Sequence, residues 1–323
     1  MIFTTITLNP CIDRREYFDC FCSGAVNRPT RTVLSAGGKG INVAKTLCHL
    51  IEKEKSFSSS RVGVLTFAGK GEGEVLKALL SKEFYLGEAL SGIQVIDSEF
   101  QTRTCTKLIT KEGVTEINET GYIGKREIEA LIHILADLIA LPEKRVVILS
   151  GSSPKLIKNQ EFSTNVKIAK SFPQDVENNV ENLLITLLES CGIPVLVDTS
   201  GESLVESLKA SPSLIKPNQT ELEALHQGAF ESEKELVEYC RELYVDNGCE
   251  ILCTLGENGA IFVGKEGIFK KASHRVFPCD PTGAGDTYLA SFAYARYEKK
   301  LSAEACLIYA DEVTREFLMK SLQ

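Results

Sequence analysis

Strand-like and helix-like segments alternate along most of this chain, and the alternation limits the possible folds more than any other feature. Met1–Leu8, Arg61–Phe67 and Arg145–Leu149 are short apolar runs that are typical of buried strands. Between them, apolar residues recur at helical spacing over Ile41–Ile51 and Ile128–Leu141. Strands that alternate with helices predict a mainly parallel sheet covered on both faces, which is a three-layer α/β/α fold.

Two stretches interrupt the alternation. Residues 14–35 and 94–118 carry period-2 segments such as Thr102–Ile109, in which polar side chains recur at every second position. Such segments are typical of antiparallel strands with one exposed face, so we expect them to form a small β-strand lid on the main sheet. No linker rich in Pro or Gly divides the 323 residues. We therefore expect a single domain, 1–323, that includes this lid.

Composition excludes several classes of protein. Hydrophobic residues make up 43% of the chain and charged residues 25%, which is typical of a globular protein and not of a disordered one. A net charge of −8 argues against a nucleic-acid partner, because a diffuse negative field repels polyanions. It leaves room for a small phosphorylated ligand, which two or three focused cations can hold.

The start of the chain and its cysteines bear on the compartment. No run approaches the ~18 apolar residues that would span a bilayer, and the start lacks the basic region of a signal peptide. Most of the eleven cysteines stand singly in apolar contexts, where free thiols behave as small hydrophobic residues. We expect a cytoplasmic protein without a membrane partner, whose cysteines hold no metal and form no disulfides.

The strongest local signal is the motif Asp280-Pro281-Thr282-Gly283-Ala284-Gly285-Asp286, which precedes an apolar segment with helical character. Glycines at a helix N-terminus let backbone N–H groups turn toward an anion, which the helix dipole also favours. Asp286 would lie in the first turn, where it could take a proton from a hydroxyl that attacks a phosphorus atom. Taken alone, the motif is equally compatible with a glycine-rich turn that Asp286 caps.

A second motif, Ala36–Ala44, also begins a predicted helix. Gly37 and Gly38 allow a ligand to approach the backbone, Lys39 adds a cation, and Asn42 offers both a donor and an acceptor. The alternative is an ordinary loop with a solvated lysine. Glycines at positions 69, 71 and 73 lack the dinucleotide-binding spacing, and they predict a tight turn between a strand and a helix.

Four blocks, in this order, resemble the PfkB (ribokinase-like) family of carbohydrate kinases. They are Thr7–Asp13, Gly37–Asn42, Lys216–Glu221 and Asp280–Asp286. The first two are most similar to the phosphosugar branch, which comprises 1-phosphofructokinase, tagatose-6-phosphate kinase and the minor 6-phosphofructokinase. The resemblance implies a ribokinase-like fold and an ATP- and Mg²⁺-dependent kinase that converts fructose 1-phosphate to fructose 1,6-bisphosphate. Tagatose 6-phosphate and fructose 6-phosphate are the alternative acceptors.

The resemblance also implies roles for residues at the catalytic centre and in the sugar pocket. Asp286 would be the general base, and the backbone of Gly283, Ala284 and Gly285 would form the anion hole for the transferring phosphoryl group. The implied substrate-binding residues are Asp13, at the end of the first strand, together with Gly38, Lys39, Asn42, Arg103 and Ser150. Lys39 and Arg103 would hold the phosphate already on the sugar, unless one of them steadies the γ-phosphate. Arg28 is a weaker candidate.

Further residues are implied on the nucleotide side. The implied ATP-binding residues are Lys216, Asn218, Glu221, Thr254, Gly256 and Gly259. Asn218 and Glu221 would organise Mg²⁺ largely through water, which suits a cation that keeps its hydration. Cys105 stands where the phosphosugar branch typically carries Asn. Lids of this family often pair between subunits, so the resemblance also implies a homodimer through the lid.

Three other readings of the sequence remain open at this stage. A kinase for an unphosphorylated sugar or nucleoside is the nearest one. A non-catalytic sugar-phosphate-binding relative is the second, because function resides in sites and not in folds. A nicotinamide dehydrogenase is suggested by glycines alone, and no dinucleotide-binding fingerprint is present.

Overall fold

A computed structural model of the chain describes residues 1–54, 58–84, 87–157, 179–273 and 282–320. Asp280 and Pro281, the first two residues of the predicted anion-site motif, lie outside them. The strands are β1 (Ile2–Thr7), β2 (Cys11–Tyr17), β3 (Arg31–Gly37), β4 (Arg61–Gly71), β5 (Leu90–Ile109), β6 (Val114–Asn118), β7 (Tyr122–Ile123), β8 (Arg145–Ser150), β9 (Lys155–Leu156), β10 (Val195–Asp198), β11 (Leu214–Ile215), β12 (Glu250–Thr254), β13 (Ala260–Gly264) and β14 (Gly267–Lys271). The helices are α1 (Lys39–Lys53), α2 (Gly73–Glu83), α3 (Lys125–Ala140), α4 (Val180–Ser190), α5 (Glu202–Lys209), α6 (Gln219–His226), α7 (Glu233–Asn247), α8 (Ala284–Tyr297) and α9 (Ala303–Lys320).

One large sheet organises these elements. Its strand order is β14-β13-β12-β11-β10-β8-β1-β4-β5-β2-β3, and β6 pairs with β5. Pairing is parallel from β12 through to β2, so the prediction of a mainly parallel sheet is confirmed. The exceptions lie at the edges, where β12–β13–β14 and β2–β3 are antiparallel. Only five residues join β12 to β13, too few for the crossover that parallel strands need.

The sheet is covered on both faces because its central strands carry apolar side chains on both. In β8, Val146 and Ile148 enter one core, whereas Val147 and Leu149 enter the other. Helices α1, α2, α8 and α9 contribute to the first core, and helices α3 to α7 contribute to the second. The predicted α/β/α layering is thereby confirmed.

The last strands of this order continue as a smaller sheet, which consists of β2, β3, β6 and the second half of β5. Strand β5 pairs with β4 as far as Thr102 and with β2 from Arg103 onward. Strands β3 and β6 join β2 and the second half of β5, both in antiparallel fashion. Asp13, which the sequence places at the end of the first strand, lies within β2 instead. The first strand already ends at Thr7, and the chain turns before Cys11.

None of the described helices is both long enough and apolar enough to cross a bilayer.

Candidate active site

A cavity of about 730 Å³ opens where the carboxyl ends of the parallel strands face the smaller sheet. This edge of an open α/β sheet is the usual place for ligands. Fourteen residues predicted from the sequence line it, namely Asp13, Gly38, Lys39, Asn42, Arg103, Lys216, Asn218, Thr254, Gly256, Gly259, Gly283, Ala284, Gly285 and Asp286. Ser150 and Glu221 do not line it, and Arg28 is exposed elsewhere. The structure therefore brings most of the predicted residues to one place.

Helix α8 begins at the floor of this cavity. Gly283 precedes it with φ of 86°, a left-handed conformation that glycine adopts without steric cost. Asp286 follows in the first turn and is only 6% exposed. A methyl group on Gly285 would lie 3.5 Å from Nζ of Lys216. The start of the helix, with its unpaired N–H groups, therefore faces a lysine ammonium.

Burial sets the proton affinity of Asp286. Loss of water around the carboxyl group raises its pKa to about 6, and the nearby charge of Asp198 acts in the same direction. Asn42, on α1, opposes this by donating a hydrogen bond from Nδ2 to Oδ2 of Asp286 at 2.9 Å. Lys39 and Lys216 also lower the pKa. Asp286 is thus poised to exchange a proton near neutral pH.

An ionic triad built around a buried aspartate lies beside Asp286. Asp198, at the end of β10, is 1% exposed; its Oδ1 accepts from Lys39 Nζ at 2.9 Å, and its Oδ2 lies 3.1 Å from Lys216 Nζ. Burial alone would raise the pKa of Asp198, but the charges of Lys216 and then Lys39 outweigh it and hold the pKa below its ordinary value. Two lysines and one aspartate leave a net positive charge next to the start of α8.

The smaller sheet provides the opposite wall. Arg103, Cys105 and Lys107 alternate along β5 and all line the cavity, because every second side chain of a strand shares a face. Arg103 donates from Nε and Nη2 to the carbonyl oxygen of Asn9 at 3.3 and 2.9 Å. Lys107 lies 3.2 Å from Glu116 and donates to the Thr282 hydroxyl at 3.4 Å. This wall therefore carries two cations, of which Lys107 is paired with Glu116, and it touches the residue before Gly283.

The turns after β1 and β8 close the cavity between these two walls. Asn9 donates from Nδ2 to the Ser152 hydroxyl at 3.1 Å. Ser150 is the last residue of β8 and is 3% exposed, so Gly151 and Ser152 reach the cavity in its place. The sequence analysis named Ser150, whereas the residues that line the cavity are one and two positions later.

The side of the cavity that the family resemblance assigns to the nucleotide is formed by loops after β11 and β12. Asn218 and Glu221 form a capping box on α6, in which each side chain accepts from the other residue's backbone N–H at 2.8 Å. Asn218 lines the cavity, while Glu221 stands behind it. Helix α9 adds Asp311, Thr314 and Leu318, which the sequence analysis did not single out.

Two further cavity residues escaped the sequence analysis. Asp198 carried a usable signal, since a polar residue directly after a buried parallel strand points to the ligand-binding edge. Lys107 carried one as well, because it follows Arg103 by four positions in a period-2 segment. The site as a whole can take a proton from an alcohol at Asp286 and hold an anion between α8 and two lysines.

Comparisons with known proteins agree with this chemistry. The family profile described as "pfkB family carbohydrate kinase" matches residues 6–315. The chain is 29% identical over 297 residues to the 1-phosphofructokinase of Borreliella burgdorferi, covering 91% of this chain and 84% of the relative. It is 30% identical over 306 residues to the 1-phosphofructokinase of Bacillus subtilis, covering 94% and 88%.

Solved structures give the same architecture. Phosphofructokinase-2 from Escherichia coli, in complex with fructose-6-phosphate, superimposes with a TM-score of 0.77 at 21% identity. The match covers 99% of this chain and 99% of that one. At this identity the likeness concerns the fold.

Proposed function

Since the chain belongs to the pfkB family of carbohydrate kinases, we propose that it phosphorylates fructose 1-phosphate to fructose 1,6-bisphosphate at the expense of ATP. That it is an ATP-dependent sugar-phosphate kinase follows from the family and from its kinase-named relatives. The choice of acceptor and the roles of individual residues are our proposals. The observation that carries them is the placement of a buried carboxylate, Asp286, at a helix N-terminus in a cavity that Lys39 and Lys216 also line.

The proposed first task is removal of the acceptor's proton. Asp286 would receive the hydroxyl proton of the sugar on a carboxylate oxygen as that hydroxyl attacks the γ-phosphorus. Its partner Asn42 would keep the carboxylate oriented, because one of the two oxygens accepts from Asn42 Nδ2. A carboxylate whose pKa lies at about 6 is deprotonated at neutral pH and still binds a proton readily.

The proposed second task is stabilisation of the transferring group. Charge spreads over the phosphoryl oxygens in the transition state, and fixed donors stabilise it best. The backbone around Gly283, Ala284 and Gly285 would supply N–H donors, and Lys39 and Lys216 would supply positive charge. Lys39 pairs with Asp198 next to Asp286, which supports a role for it at the γ-phosphate.

The nucleotide-side residues fit a hydrated Mg²⁺ and the phosphates of ATP. The capping box uses one carboxylate oxygen of Glu221, so its other oxygen would reach the ion through water, alongside the exposed Asn218. When bound, Mg²⁺ would neutralise charge on the phosphate oxygens. Thr254, Gly256 and Gly259 would contact the nucleotide, and α9 would close that side.

Arg103, on the wall that the smaller sheet provides, supports an acceptor that already carries a phosphate. Arg103 and Lys107 stand on β5, opposite the lysines next to Asp286. Lys107 already pairs with Glu116, whereas Arg103 donates to the uncharged carbonyl oxygens of Asn9 and Glu119. A phosphosugar would give Arg103 a charged partner, and the planar fork of arginine suits phosphate oxygens. Fructose 1-phosphate is the preferred acceptor because both relatives named above are 1-phosphofructokinases.

A substrate panel at fixed MgATP tests the proposal. Rates would be measured with fructose 1-phosphate, fructose 6-phosphate, tagatose 6-phosphate, free fructose and ribose. We expect the highest kcat/KM for fructose 1-phosphate. A preference for free fructose or ribose would refute the phosphosugar acceptor, and binding without ATP consumption for every sugar would refute the enzyme.

The rate should depend on pH through Asp286. A general base must be deprotonated, so we expect kcat/KM to fall about tenfold per pH unit below a midpoint at about pH 6. The second ionisation of a sugar phosphate also lies near pH 6. Asn42→Ala distinguishes titration of Asp286 from titration of the sugar phosphate. Loss of the hydrogen bond to the Asp286 carboxylate should raise the midpoint of the pH profile if Asp286 is the group that titrates. A midpoint unchanged by this variant would assign the titration to the substrate.

Replacement of Arg103 should weaken acceptor binding more than turnover. We expect Arg103→Ala to raise KM for fructose 1-phosphate by about 10- to 100-fold, the equivalent of one charge-assisted hydrogen bond, with a smaller change in kcat. Arg126→Ala, which removes an exposed arginine paired with Glu99, is the matched control. A KM for fructose 1-phosphate equal in both variants would place Arg103 outside the acceptor site.

We further propose that the smaller sheet acts as the lid of this single domain and pairs with a second copy of the chain. Leu34 on β3 and Ile117 on β6 are 45% and 56% exposed, which leaves apolar side chains on this sheet in contact with water. Sedimentation of the whole chain would test the homodimer. A monomer at micromolar concentration would contradict it.

A further inference from the structure

Two cysteines and an aspartate from separate strands meet in the wall of the cavity. Sγ of Cys11, Sγ of Cys105 and one carboxylate oxygen of Asp13 all lie within 4.8 Å of one another. The strand register explains this, because Cys11 and Asp13 alternate on β2, and Asp13 stands opposite Cys105 on the parallel strand β5. Neighbouring side chains on one face of a sheet come into contact.

The three side chains are held in place from behind. Cys11, Asp13 and Cys105 are 3%, 8% and 5% exposed, and the Cys11 thiol donates to Oδ1 of Asp13 at 3.4 Å. Gly37, on β3, packs its backbone against them. A methyl group there would come within 2.6 Å of Cγ of Asp13 and 2.7 Å of Sγ of Cys11. The three side chains are therefore held close to one another before any ligand arrives.

The donor set selects a particular class of cation. Two thiolates and one carboxylate suit Zn²⁺ and softer ions, whereas Mg²⁺ prefers oxygen and water. Tetrahedral Zn²⁺ with bonds of ~2.0–2.3 Å needs its ligand atoms roughly 3.3–3.8 Å apart. The three donor atoms lie within 4.8 Å of one another, so small side-chain adjustments would bring them to these distances. All three residues line the cavity, so a fourth ligand would come from the cavity itself.

We propose that Cys11, Asp13 and Cys105 bind a thiophilic divalent cation, with Zn²⁺ as the typical case, and that the bound ion excludes the acceptor sugar. The exclusion rests on the proposed function, because it takes the wall around Asp13 as the sugar pocket. The ion uses the Asp13 carboxylate, so that carboxylate is lost to sugar hydroxyls. Inhibition by the ion is therefore competitive with the sugar phosphate and not with ATP.

The first experiment measures cation binding without turnover. Cys20 and Cys22 are exposed and their Sγ atoms are 3.7 Å apart, so a parent with Cys20→Ser and Cys22→Ser removes a second thiol pair. The parent is titrated with Cd²⁺ under a phosphine reductant, and the ultraviolet thiolate-to-metal charge-transfer band is followed. We expect one Cd²⁺ per chain.

Removal of either buried thiol should abolish this band. Loss of a ligand costs more than the ~10- to 100-fold in affinity that outer-shell changes cost, so Cys11→Ser and Cys105→Ser should each weaken binding by at least 100-fold. Cys191→Ser removes one exposed thiol and should leave the titration unchanged. Circular dichroism checks the fold of each variant, and Cys105→Ala replaces Cys105→Ser if the serine variant does not fold.

The second experiment adds fructose 1-phosphate to the Cd²⁺-loaded parent, and we expect the band to disappear. No stoichiometric band in the parent, or a band that survives Cys11→Ser and Cys105→Ser, overturns the cation site. A band that needs both thiols but resists fructose 1-phosphate supports the cation site and overturns the sugar-pocket assignment. A thiol-dependent band in a protein that phosphorylates no sugar phosphate supports the site and overturns the proposed function alone.

Discussion

Asp286→Asn is expected to lower kcat by ~10²–10⁴-fold, which is the usual contribution of a positioned general base. The amide keeps the size of the side chain and its contact with Asn42 but cannot take a proton from the acceptor. Steady-state rates with saturating MgATP and sugar phosphate measure the loss. Asp137→Asn, which neutralises an exposed aspartate on α3, is the control and should match the parent. An equal kcat in Asp286→Asn would remove Asp286 from the mechanism.

The same substitution should not destabilise the protein, which separates a catalytic role from a structural one. The pKa of Asp286 rises from 3.8 in the unfolded chain to about 6 in the folded one. The ionised carboxylate therefore costs folding free energy above about pH 6, and this cost vanishes as the pH falls below the unfolded value. At pH 8 we expect the asparagine variant to be more stable by about 1–3 kcal/mol. A marked loss of stability would show that the lower rate reflects unfolding.

Asp198→Asn is expected to have the largest effect on stability. It leaves Lys39 and Lys216 facing a neutral amide, and the Lys216 side chain is only 5% exposed. Removing one partner from a buried ion pair costs about 3–5 kcal/mol, because the remaining charge is uncompensated. Chemical denaturation at pH 7 measures the loss. At that pH the contribution of Asp198 is fully present, since its lowered pKa means it is lost only in acid.

An exposed pair of the same chemistry provides the control. Asp97 lies 2.8 Å from Lys77, and its side chain is 77% exposed. Asp97→Asn should change stability little, because water and salt screen exposed pairs. An equal loss in both variants would mean that burial does not determine the strength of the triad. Recovery of stability in Asp198→Asn when Lys216→Met is added would support the uncompensated buried charge as the cause.

The parts of the site that could be predicted from the sequence are those in which one short segment forms a complete feature. The turn of Gly283, the proposed anion hole and Asp286 are adjacent in the chain, and local geometry alone brings them together. Asn218 and Glu221 behave similarly, since their spacing makes a capping box. However, one carboxylate oxygen of Glu221 accepts from the backbone N–H of Asn218 in this capping box. The sequence motif does not reveal that this oxygen is already engaged.

Features that depend on strand register were harder to predict. Asp198 acquires its place only when β10 lies next to β8, which brings the end of one strand to the ends of its neighbours. Lys107 needs β5 to continue beyond the main sheet. Ser150 and Ser152 differ by two positions, and only the exact end of β8 decides which of them reaches the cavity. Asp13 lines the cavity, but it lies within β2 and not at the end of the first strand.

The twenty-residue strand β5 has a mechanical consequence. It exchanges one partner strand for another between Thr102 and Arg103, with no loop at the exchange. Opening of the smaller sheet would therefore bend β5 itself, whose pairing with β4 is irregular between Asp97 and Gln101, just before the exchange. Arg103 lies where β5 would bend. A phosphate bound to Arg103 would therefore oppose the bending. Occupancy of the cavity would then restrict movement of the turn between β5 and β6.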